Sequence, residues 1–322
     1  MKIMFLNSLD LAGLAYNLCN AVNKYTNHEA DHIVTKIDPI LKYPRMHYFG
    51  PHNASELRQL VYDSDALIFN EWPGIWKAMD LDIEKLRNKI IGVTFGGAGF
   101  RKLMYRNKNV EHYNKISGDV KYMLHSVDFL KQAPDWPWIC PCFGIEELRK
   151  QYDYAKSEPP VVATSPCPVS DGVNPAMGKV SDGFKGVVKR LKDKGLKFKS
   201  NCISSYAGGV PNAECLRLKA PASIFFDRLY MIYGMNSIEA AGFESAVVTE
   251  TSRFARKKIH QLSGVKCPFV IVNTWEEVEE AFAALISDSK YRRNKGLECY
   301  KYAEAVHGGK FSANRLIKAL EG

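Results

Sequence analysis

The sequence predicts an α/β protein made of two Rossmann-like domains, each with a doubly wound parallel sheet. Strand-like apolar runs alternate with helix-like segments, two adjacent prolines interrupt the alternation near mid-chain, and the alternation then resumes. The length of 322 residues also suits two domains. Strands that alternate with helices are joined by crossovers, and such strands are parallel.

The first half begins with a strand and a helix. Residues 1–21 superficially resemble a signal peptide, but Asn7, Asp10 and Asn17 interrupt the apolar run and the period changes at Ser8. Further β-branched, apolar runs predict strands, and segments of helical period lie between them. Strands are predicted at residues 2–7, 32–37, 66–70, 89–95 and 122–125, and helices at 11–24 and 55–62.

The second half begins after Pro159 and Pro160, which cannot continue a helix. Thr274 and Glu277 have the spacing of a capping box and predict a helix that ends near Ser287, with a further helix after it that breaks at Gly308-Gly309. Strands are predicted at residues 161–165, 197–203, 223–226, 246–249 and 269–273. The predicted domains are residues 1–157, residues 158–305 and a C-terminal helical segment, 306–322.

Composition narrows the functional class. The chain is 46% apolar and 25% charged, and it contains no apolar run of the ~18 residues that a membrane span needs. Its eight cysteines lack paired spacing, which predicts reduced thiols in a cytoplasmic protein and no metal site. The net charge of +9 predicts an anionic partner: a nucleotide, a phosphorylated acceptor, nucleic acid or an anionic membrane surface.

Two strand-to-helix junctions of the first half carry unusual residues. In "NSLDLAG", Gly13 lets the backbone approach a phosphate, or Asp10 simply caps a tight turn, and the spacing leaves both open. In "FGGAGFRK", Gly96, Gly97 and Arg101 suit an anion or a sugar, or form a solvated loop. The absence of a GxGxxG fingerprint argues against an NAD enzyme.

A basic helix follows the polar loop that opens the second domain. The loop ends at Lys179, where such folds usually hold phosphate. Lys185, Lys189 and Arg190 follow it and form either a solvated helix face or a set of contacts to a polyanion.

The segment "YGMNSIEAAGFESAVV", residues 233–248, places one carboxylate inside an otherwise apolar helix. Asn236 is predicted to cap that helix, whose positive end suits a diphosphate. Glu239 can accept hydrogen bonds from two ribose hydroxyls, or it can be the capping-box partner of Asn236 three residues earlier. The spacing alone leaves these alternatives open.

This segment, within "SIFFDRLYMIYGMNSIEAAGFESAVV", resembles the donor-site segment of retaining nucleotide-sugar glycosyltransferases of the GT-B fold, the family-4-like group. The blocks "VTFGGAGFRK" and "YMLHSVDFLKQAPDWPWICPCFGIEEL" are similar to two other parts of that family, in the same order. The matching residues of the donor segment are Asp227, Tyr233, Gly234, Glu239, Ala240 and Gly242. The resemblance implies two domains that face each other across a cleft, with C-terminal helices packing back towards the first.

The resemblance also implies roles for single residues. Glu239 would hold the ribose of a nucleoside-diphosphate sugar, most simply a UDP-sugar, used as a co-substrate without a permanently bound cofactor. Gly96, Gly97 and Arg101 would face the sugar and acceptor, together with Asp10. The other implied donor-site residues are Gly13, Lys179, Tyr233, Gly234, Met235, Asn236 and Ser237.

The implied reaction is the transfer of a sugar to an acceptor hydroxyl with retention. The leaving diphosphate can itself take the acceptor proton, so no enzyme nucleophile is needed. Asp10, Glu71 and His125 are candidates to orient or deprotonate the acceptor. The acceptor is predicted to be a hydroxymethylated base in phage-type DNA, flipped out of the duplex in the cytoplasm of a bacterial host.

Two alternatives remain open from the sequence. One is a glycosyltransferase of cell-surface polysaccharide or lipid-linked glycan synthesis, with peripheral contact to an anionic membrane. The other is a non-catalytic relative that binds a sugar nucleotide or nucleic acid. Met231 and Phe95 favour the second, because they replace an earlier Glu and a His that the family usually has.

Overall fold

The chain divides into two compact units, which are described separately. The computed structural model describes residues 1–10, 13–36, 47–70, 75–95, 119–166, 180–203, 210–229 and 232–322. The first unit comprises Met1–Gly144 with Gly309–Gly322, and the second comprises Ile145–Gly308.

Each unit contains one sheet, and all recorded strand pairs are parallel. The first sheet has the order β3-β2-β1-β4-β5-β6 and the second the order β11-β10-β9-β7-β8. The strands are β1 (Lys2–Asn7), β2 (Glu29–Val34), β3 (His47–Tyr48), β4 (Ala66–Asn70), β5 (Ile90–Phe95), β6 (Val120–Leu124), β7 (Val161–Thr164), β8 (Lys199–Cys202), β9 (Ile224–Phe226), β10 (Ala246–Thr249) and β11 (Val270–Ile271). Both orders are those of doubly wound α/β domains, so the predicted fold class is confirmed.

Helices follow most of the strands. They are α1 (Leu14–Tyr25), α2 (Ala54–Tyr62), α3 (Ile75–Ala78), α4 (Ile145–Gln151), α5 (Val180–Asp193), α6 (Asn212–Lys219), α7 (Met235–Gly242), α8 (Arg253–Ser263), α9 (Trp275–Ser287), α10 (Ser289–His307) and α11 (Lys310–Glu321). Short 3-10 helices span Glu84–Leu86 and Val127–Lys131. None of the helices in the described ranges is both long and apolar enough to cross a membrane.

The core of the first unit joins the two ends of the chain. Leu18 and Val22 of α1 pack with Phe5 of β1 and with Leu316 and Leu320 of α11, and all five side chains are buried. Helical periodicity puts the apolar residues of α1 and α11 on one face each, and burying them together removes both faces from water. The C-terminal helix therefore packs back onto the N-terminal part of the chain, as the resemblance implied.

The core of the second unit lies between its sheet and the helices α5 and α9. Val187 and Leu191 of α5 and Phe282 of α9 pack on Val162 and Phe226 of the sheet. Thr274 caps the start of α9 as predicted, since its Oγ1 accepts from Glu277 N at 3.2 Å. The Glu277 carboxylate accepts at 2.6 Å from the N–H of Asn273, one residue before the N-cap, in place of the reciprocal bond of a capping box.

The division between the units falls after Gly144, whereas the sequence placed it after residue 157. Helix α4 belongs to the second unit because its apolar face covers Gly242 at the end of α7. A Cβ at residue 242 would lie 3.2 Å from Leu148 Cδ2 and 3.6 Å from Ile145 Cγ2. The C-terminal crossing likewise falls at Gly309, whose φ of 100° is in the left-handed region that favours glycine.

Most predicted strands are found, with shifted ends. Those at residues 2–7, 66–70 and 246–249 are confirmed at both ends, whereas the predicted strand 269–273 is reduced to Val270–Ile271. Strand β3 was not predicted, because two residues give no periodicity to detect.

Candidate functional site

The second sheet changes direction between β7 and β9. In open α/β sheets this switch point opens a crevice outside the carboxyl ends of the strands, which is the usual position of a ligand. Ser165 follows β7, Asp227 follows β9, and α7 begins shortly afterwards at Met235. The predicted donor segment therefore lies at the switch point of the second unit.

Asp227 fixes the start of α7. Its buried carboxylate accepts from Gly234 N at 2.8 Å, from Ser237 Oγ at 2.7 Å and from Arg228 Nε at 3.0 Å. Gly234 occupies the N-cap position, with extended backbone at φ −112° and ψ −168°. The prediction that Asn236 caps the helix is wrong, because Asp227 supplies the capping oxygen from earlier in the chain and Asn236 is already helical.

These contacts determine which backbone N–H groups at the start of α7 remain available to a ligand. Asp227 takes the N–H of Gly234, and the N–H of Ser237 bonds to Gly234 O at 3.1 Å. The N–H groups of Met235 and Asn236 lie in the first turn, where a helix supplies no acceptor of its own. Both residues are half-buried. Of the four implied donor-site residues 234–237, Met235 and Asn236 therefore have backbone N–H groups that suit an anion.

Glu239 forms a buried ion pair instead of a capping box. Its Oε2 atom lies 2.5 Å from Nζ of Lys219, the last residue of α6, and the two side chains are 8% and 1% exposed. The capping-box interpretation of Glu239 is wrong, because the N-cap residue is Gly234 and its N–H is bound by Asp227. The ribose-binding role stays a prediction.

Lys219 also binds Asn236. Its Nζ donates to Asn236 Oδ1 at 2.5 Å, and Asn236 Nδ2 donates to Ser165 O at 2.9 Å. Burial alone lowers the pKa of Lys219, but the charge of Glu239, with smaller contributions from Cys215, outweighs burial and raises this pKa. Lys219 is therefore charged at neutral pH, and a continuous set of contacts joins the end of β7 to α7.

Tyr233 directs its hydroxyl into the second unit. Tyr233 Oη lies 2.5 Å from Tyr302 Oη and 3.0 Å from His307 Nε2, and all three residues are buried. Its ring also packs edge-on against Phe269, with 5.0 Å between ring centroids. Through these contacts Tyr233 anchors the turn before α7 to helix α10, and its predicted contact with the donor stays a prediction.

Asp10 lies after β1 in the first unit and caps α1. Its two carboxylate oxygens accept from Ala15 N at 3.1 Å and from Tyr16 N at 2.9 Å. Gly13 is the N-cap residue, with a left-handed φ of 65°. The capping interpretation of Asp10 is thus confirmed, and a ligand role for Gly13 stays a prediction.

A buried histidine that the sequence did not suggest lies beside Asp10. His32 Nδ1, on β2, is 3.9 Å from Asp10 Oδ2, and both side chains are 1% exposed. Burial raises the pKa of Asp10 to about 6, although hydrogen bonds from Tyr16, Ala15 and Leu14 act against it. Burial and the charge of His47 lower the pKa of His32 to about 4. The sequence feature that could have indicated this pair is a histidine inside an apolar strand.

His125 is buried just after β6. Its Nδ1 atom lies 3.0 Å from the carbonyl oxygen of Ile139, and its backbone N–H donates to Phe95 O at 2.9 Å. Burial lowers the pKa of His125, against the opposite effect of the Ile139 carbonyl, so the ring is neutral near pH 7. No described contact joins His125 to Asp10. The other predicted residues of this side, Glu71, Gly96, Gly97 and Arg101, lie outside the described residues, as does Lys179.

The basic helix α5 is only partly available to an anion. Arg190 Nε lies 2.5 Å and Lys194 Nζ 2.6 Å from the two carboxylate oxygens of Glu279 on α9. Lys185 and Lys189 are exposed. Among the described residues, therefore, Lys185 and Lys189 are better placed than Arg190 for the predicted contact with a polyanion.

Comparison with known proteins finds similarity in structure. No family model matches the chain, and no curated protein sequence matches it. A solved structure of "alpha-glucosyltransferase in complex with UDP-glucose and DNA containing an abasic site" aligns over 100% of both chains, with a TM-score of 0.67 and 12% identity. HepE of Anabaena, in complex with UDP and glucose, aligns over 100% of this chain and 99% of its own, with a TM-score of 0.59 and 14% identity.

A third solved structure extends the comparison to a different enzyme. Sucrose-phosphate synthase from Thermosynechococcus elongatus aligns over 100% of this chain and 98% of its own, with a TM-score of 0.56 and 12% identity. These three alignments cover the whole chain and therefore include both units. The chain has the GT-B fold. The switch point of the second unit lies in the half of the chain for which the resemblance implies nucleotide binding.

Proposed function

We propose that this protein transfers a sugar from a UDP-sugar to an acceptor hydroxyl. The observation that carries the proposal is the placement of Glu239 and the first turn of α7 at the switch point of the second sheet. A carboxylate that faces ribose hydroxyls and helix N–H groups that face a diphosphate are the two elements that a nucleotide needs. The GT-B fold over the whole chain supports it, since two of the similar structures contain UDP or UDP-glucose.

The donor would bind in two parts. Ribose hydroxyls would donate to the ionised carboxylate of Glu239, and the diphosphate would accept from Met235 N and Asn236 N. The positive end of α7 favours the same charge. Lys179, at the end of the polar loop that opens the second domain, would add a positive charge.

The transfer would break the bond between the anomeric carbon and the β-phosphate oxygen. The acceptor oxygen would form the new bond on the same face of the sugar, so that the configuration is retained. The acceptor proton would pass to the leaving diphosphate oxygen, whose growing charge the helix N–H groups stabilise. UDP and the glycosylated acceptor are the products, and no enzyme nucleophile takes part.

The acceptor that we propose is a hydroxymethylated base in DNA. Support comes from a similar structure, an alpha-glucosyltransferase in complex with UDP and a 13-mer DNA containing a HMU base, with a TM-score of 0.66 and 12% identity. The net charge of +9 and the exposed pair Lys185 and Lys189 also favour DNA. Asp10, Glu71 and His125 remain the proposed residues for orienting the acceptor, in the cytoplasm where such DNA is found.

The test is an assay of the purified protein with a panel of UDP-sugars and duplex DNA that contains 5-hydroxymethyl pyrimidines. We expect UDP release that depends on the modified DNA and a mass increase of one hexose-type residue per modified base. Unmodified DNA of the same sequence is the control. Tight UDP binding without turnover for every donor and acceptor would support the non-catalytic alternative instead.

Substitution of Glu239 tests the donor site itself. Glu239→Gln keeps the shape of the side chain and one acceptor oxygen. It removes the negative charge that binds Lys219 and that we propose binds the ribose. We expect UDP-glucose affinity to fall about 10-fold or more, since hydrogen bonds to charged groups contribute about 1.5–3 kcal/mol. Isothermal titration calorimetry measures the change, and unaltered affinity would remove Glu239 from the donor site.

A further inference from the structure

Lys219 is an unusual residue for its position. Helix α6 ends at this lysine, and the side chain is 1% exposed, whereas lysine is almost never fully buried without a partner. Its ammonium lies at the carboxyl end of the second sheet, among the residues of the proposed donor site. Neither the resemblance nor any spacing in the sequence pointed to it.

The ammonium is held by two side-chain acceptors. Lys219 Nζ donates to Glu239 Oε2 and to Asn236 Oδ1, both at 2.5 Å. The ring of Phe225 lies beneath it, with 5.8 Å between Nζ and the ring centroid. A buried ammonium that donates to two side chains holds both of them in one arrangement.

We infer that Lys219 is a positioning residue for the donor, which supplies the counter-charge of Glu239 and fixes Asn236 at the start of α7. The inference rests on the proposed function, because it concerns how Glu239 meets the ribose. The lysine itself touches Glu239 and Asn236 and acts on the nucleotide through them.

The physical reason is the cost of a buried carboxylate. Glu239 is 6% exposed, and a carboxyl group in such a place without a counter-charge becomes protonated more easily. A protonated carboxyl group offers a ribose fewer acceptor positions than a carboxylate. Lys219 is the cation bonded to Glu239. The charge of Glu239 also reaches Tyr152, and Cys215 interacts with the ammonium of Lys219.

The second contact of Lys219, with Asn236, links the ion pair to the part of the site proposed for the diphosphate. Asn236 receives a hydrogen bond from Lys219 and donates one to Ser165 O, so its place in the first turn of α7 is set from two directions. The N–H of Asn236 is one of the two backbone donors proposed for the diphosphate. A single lysine therefore aligns the ribose acceptor and a diphosphate donor.

The test measures the dissociation constant of UDP-glucose by calorimetry between pH 6.5 and 9 for wild type and Lys219→Met. UDP-glucose suits this range because its diphosphate ester does not titrate there. We expect wild type to be nearly independent of pH. Lys219→Met should bind about 10-fold more weakly at pH 6.5 and recover part of the loss as the pH rises, because Glu239 then ionises without its partner.

Two further variants make the result specific. Lys219→Gln, which retains polar character in case the Met variant fails to fold, should show the same pH dependence. Lys156→Met is the matched control, because Lys156 also directs its ammonium to the end of α6, at 2.8 Å from Ala220 O, but has no described contact with Glu239. It should leave the affinity unchanged at every pH.

The outcomes separate the inference from the proposed function. In the Glu239→Gln background, Lys219→Met should cause a smaller loss than in wild type, since of its two contacts only the one with Asn236 then contributes. Additive losses, or a loss that is equal at every pH, would overturn the positioning role while leaving the donor site intact. Failure of wild type to bind UDP-glucose or any other UDP-sugar would overturn the proposed function as well.

Discussion

Two buried carboxylates of this protein are stabilised by different means. Glu239 is held by the ammonium of Lys219, whereas Asp10 is held by the backbone N–H groups of Ala15 and Tyr16. A full counter-charge offsets burial better than backbone N–H dipoles do. Burial consequently still raises the pKa of Asp10 to about 6.

The raised pKa makes the stability of the first unit depend on pH. The ordinary value is 3.8 and the folded value about 6, a difference of about 2 units or about 3 kcal/mol. The folded state binds the Asp10 proton more tightly, so its contribution is fully present below pH 3.8 and is lost as the pH rises through about 6.

Asp10→Asn should therefore gain stability relative to wild type as the pH rises from 4 to 7. The asparagine keeps one capping oxygen but has no carboxyl group to ionise. We expect the difference in the free energy of unfolding to change by up to about 3 kcal/mol across this range, as measured by urea denaturation.

Asp80→Asn is the control for that experiment, because Asp80 is 91% exposed and the charge of its partner Arg58 does not change over this range. Its substitution should give a nearly constant difference from wild type. A constant difference for Asp10→Asn would contradict the raised pKa. Loss of glycosyl transfer in Asp10→Asn, with the donor affinity retained, would support the proposed acceptor role.

At the scale of elements, close backbone contact holds α10 to the donor segment. A Cβ added at Gly296 of α10 would lie only 2.2 Å from the carbonyl oxygen of Glu244, in the turn that joins α7 to β10. Glu244 itself has a positive φ of 59°. The absence of a side chain at residue 296 is what lets the helix approach this turn.

Gly296→Ala should destabilise the second unit, because neither the helix nor the backbone carbonyl can move without losing packed contacts. We expect a cost of about 1–3 kcal/mol, which corresponds to a fall in Tm of roughly 2–12 °C for a unit of this size. Differential scanning calorimetry measures it.

Gly186→Ala in α5 is the matched control. The nearest atom to a Cβ there is Arg190 Nη1 at 3.5 Å, an ordinary contact with a flexible side chain. Alanine has the higher helix propensity, so this variant should be neutral or up to about 1 kcal/mol more stable. Equal effects of the two substitutions would mean that the contact with Glu244 does not restrict α10.

For the whole molecule, the basic side chains that produce the net charge of +9 are not equally available to an anion. Glu279 neutralises part of the charge of Arg190 and Lys194 on the outer face of α5 and α9. Lys185 and Lys189 are exposed on the same helix. A polyanion such as DNA should therefore gain more from the second pair than from the first.

The salt dependence of DNA binding tests this difference. For wild type, the logarithm of the binding constant should fall steeply with the logarithm of salt concentration. The double variant Lys185→Glu, Lys189→Glu should reduce the slope by about 1 for each phosphate contact that it removes. Fluorescence anisotropy with a labelled duplex at several salt concentrations measures the slope.

The control is the double variant Arg190→Glu, Lys194→Glu, which makes the same change of charge at the end of α5 and in the residue that follows it. We expect a smaller change of slope, because Glu279 already binds these two side chains. Equal changes for both pairs would indicate general attraction without a preferred face, and a flat response of wild type to salt would exclude DNA as the acceptor.

The sequence by itself determined the fold class and most of the strands. Apolar, β-branched runs such as Ala66–Asn70 and Ala246–Thr249 carry their own signal, because each is buried on both faces of a parallel sheet. The N-cap at Thr274 was likewise readable, since both partners are local. The donor segment was found through its resemblance, and the glycosyltransferase activity stays a proposal.

Only the tertiary structure decided the partners of the site residues. Asp227 caps α7 in place of Asn236, Lys219 pairs with Glu239, and His32 lies beside Asp10. These contacts join residues on different elements, and their spacing along the chain carries no period or motif. Such pairs follow from how parallel strands bring their carboxyl ends together, which packing of the whole sheet determines.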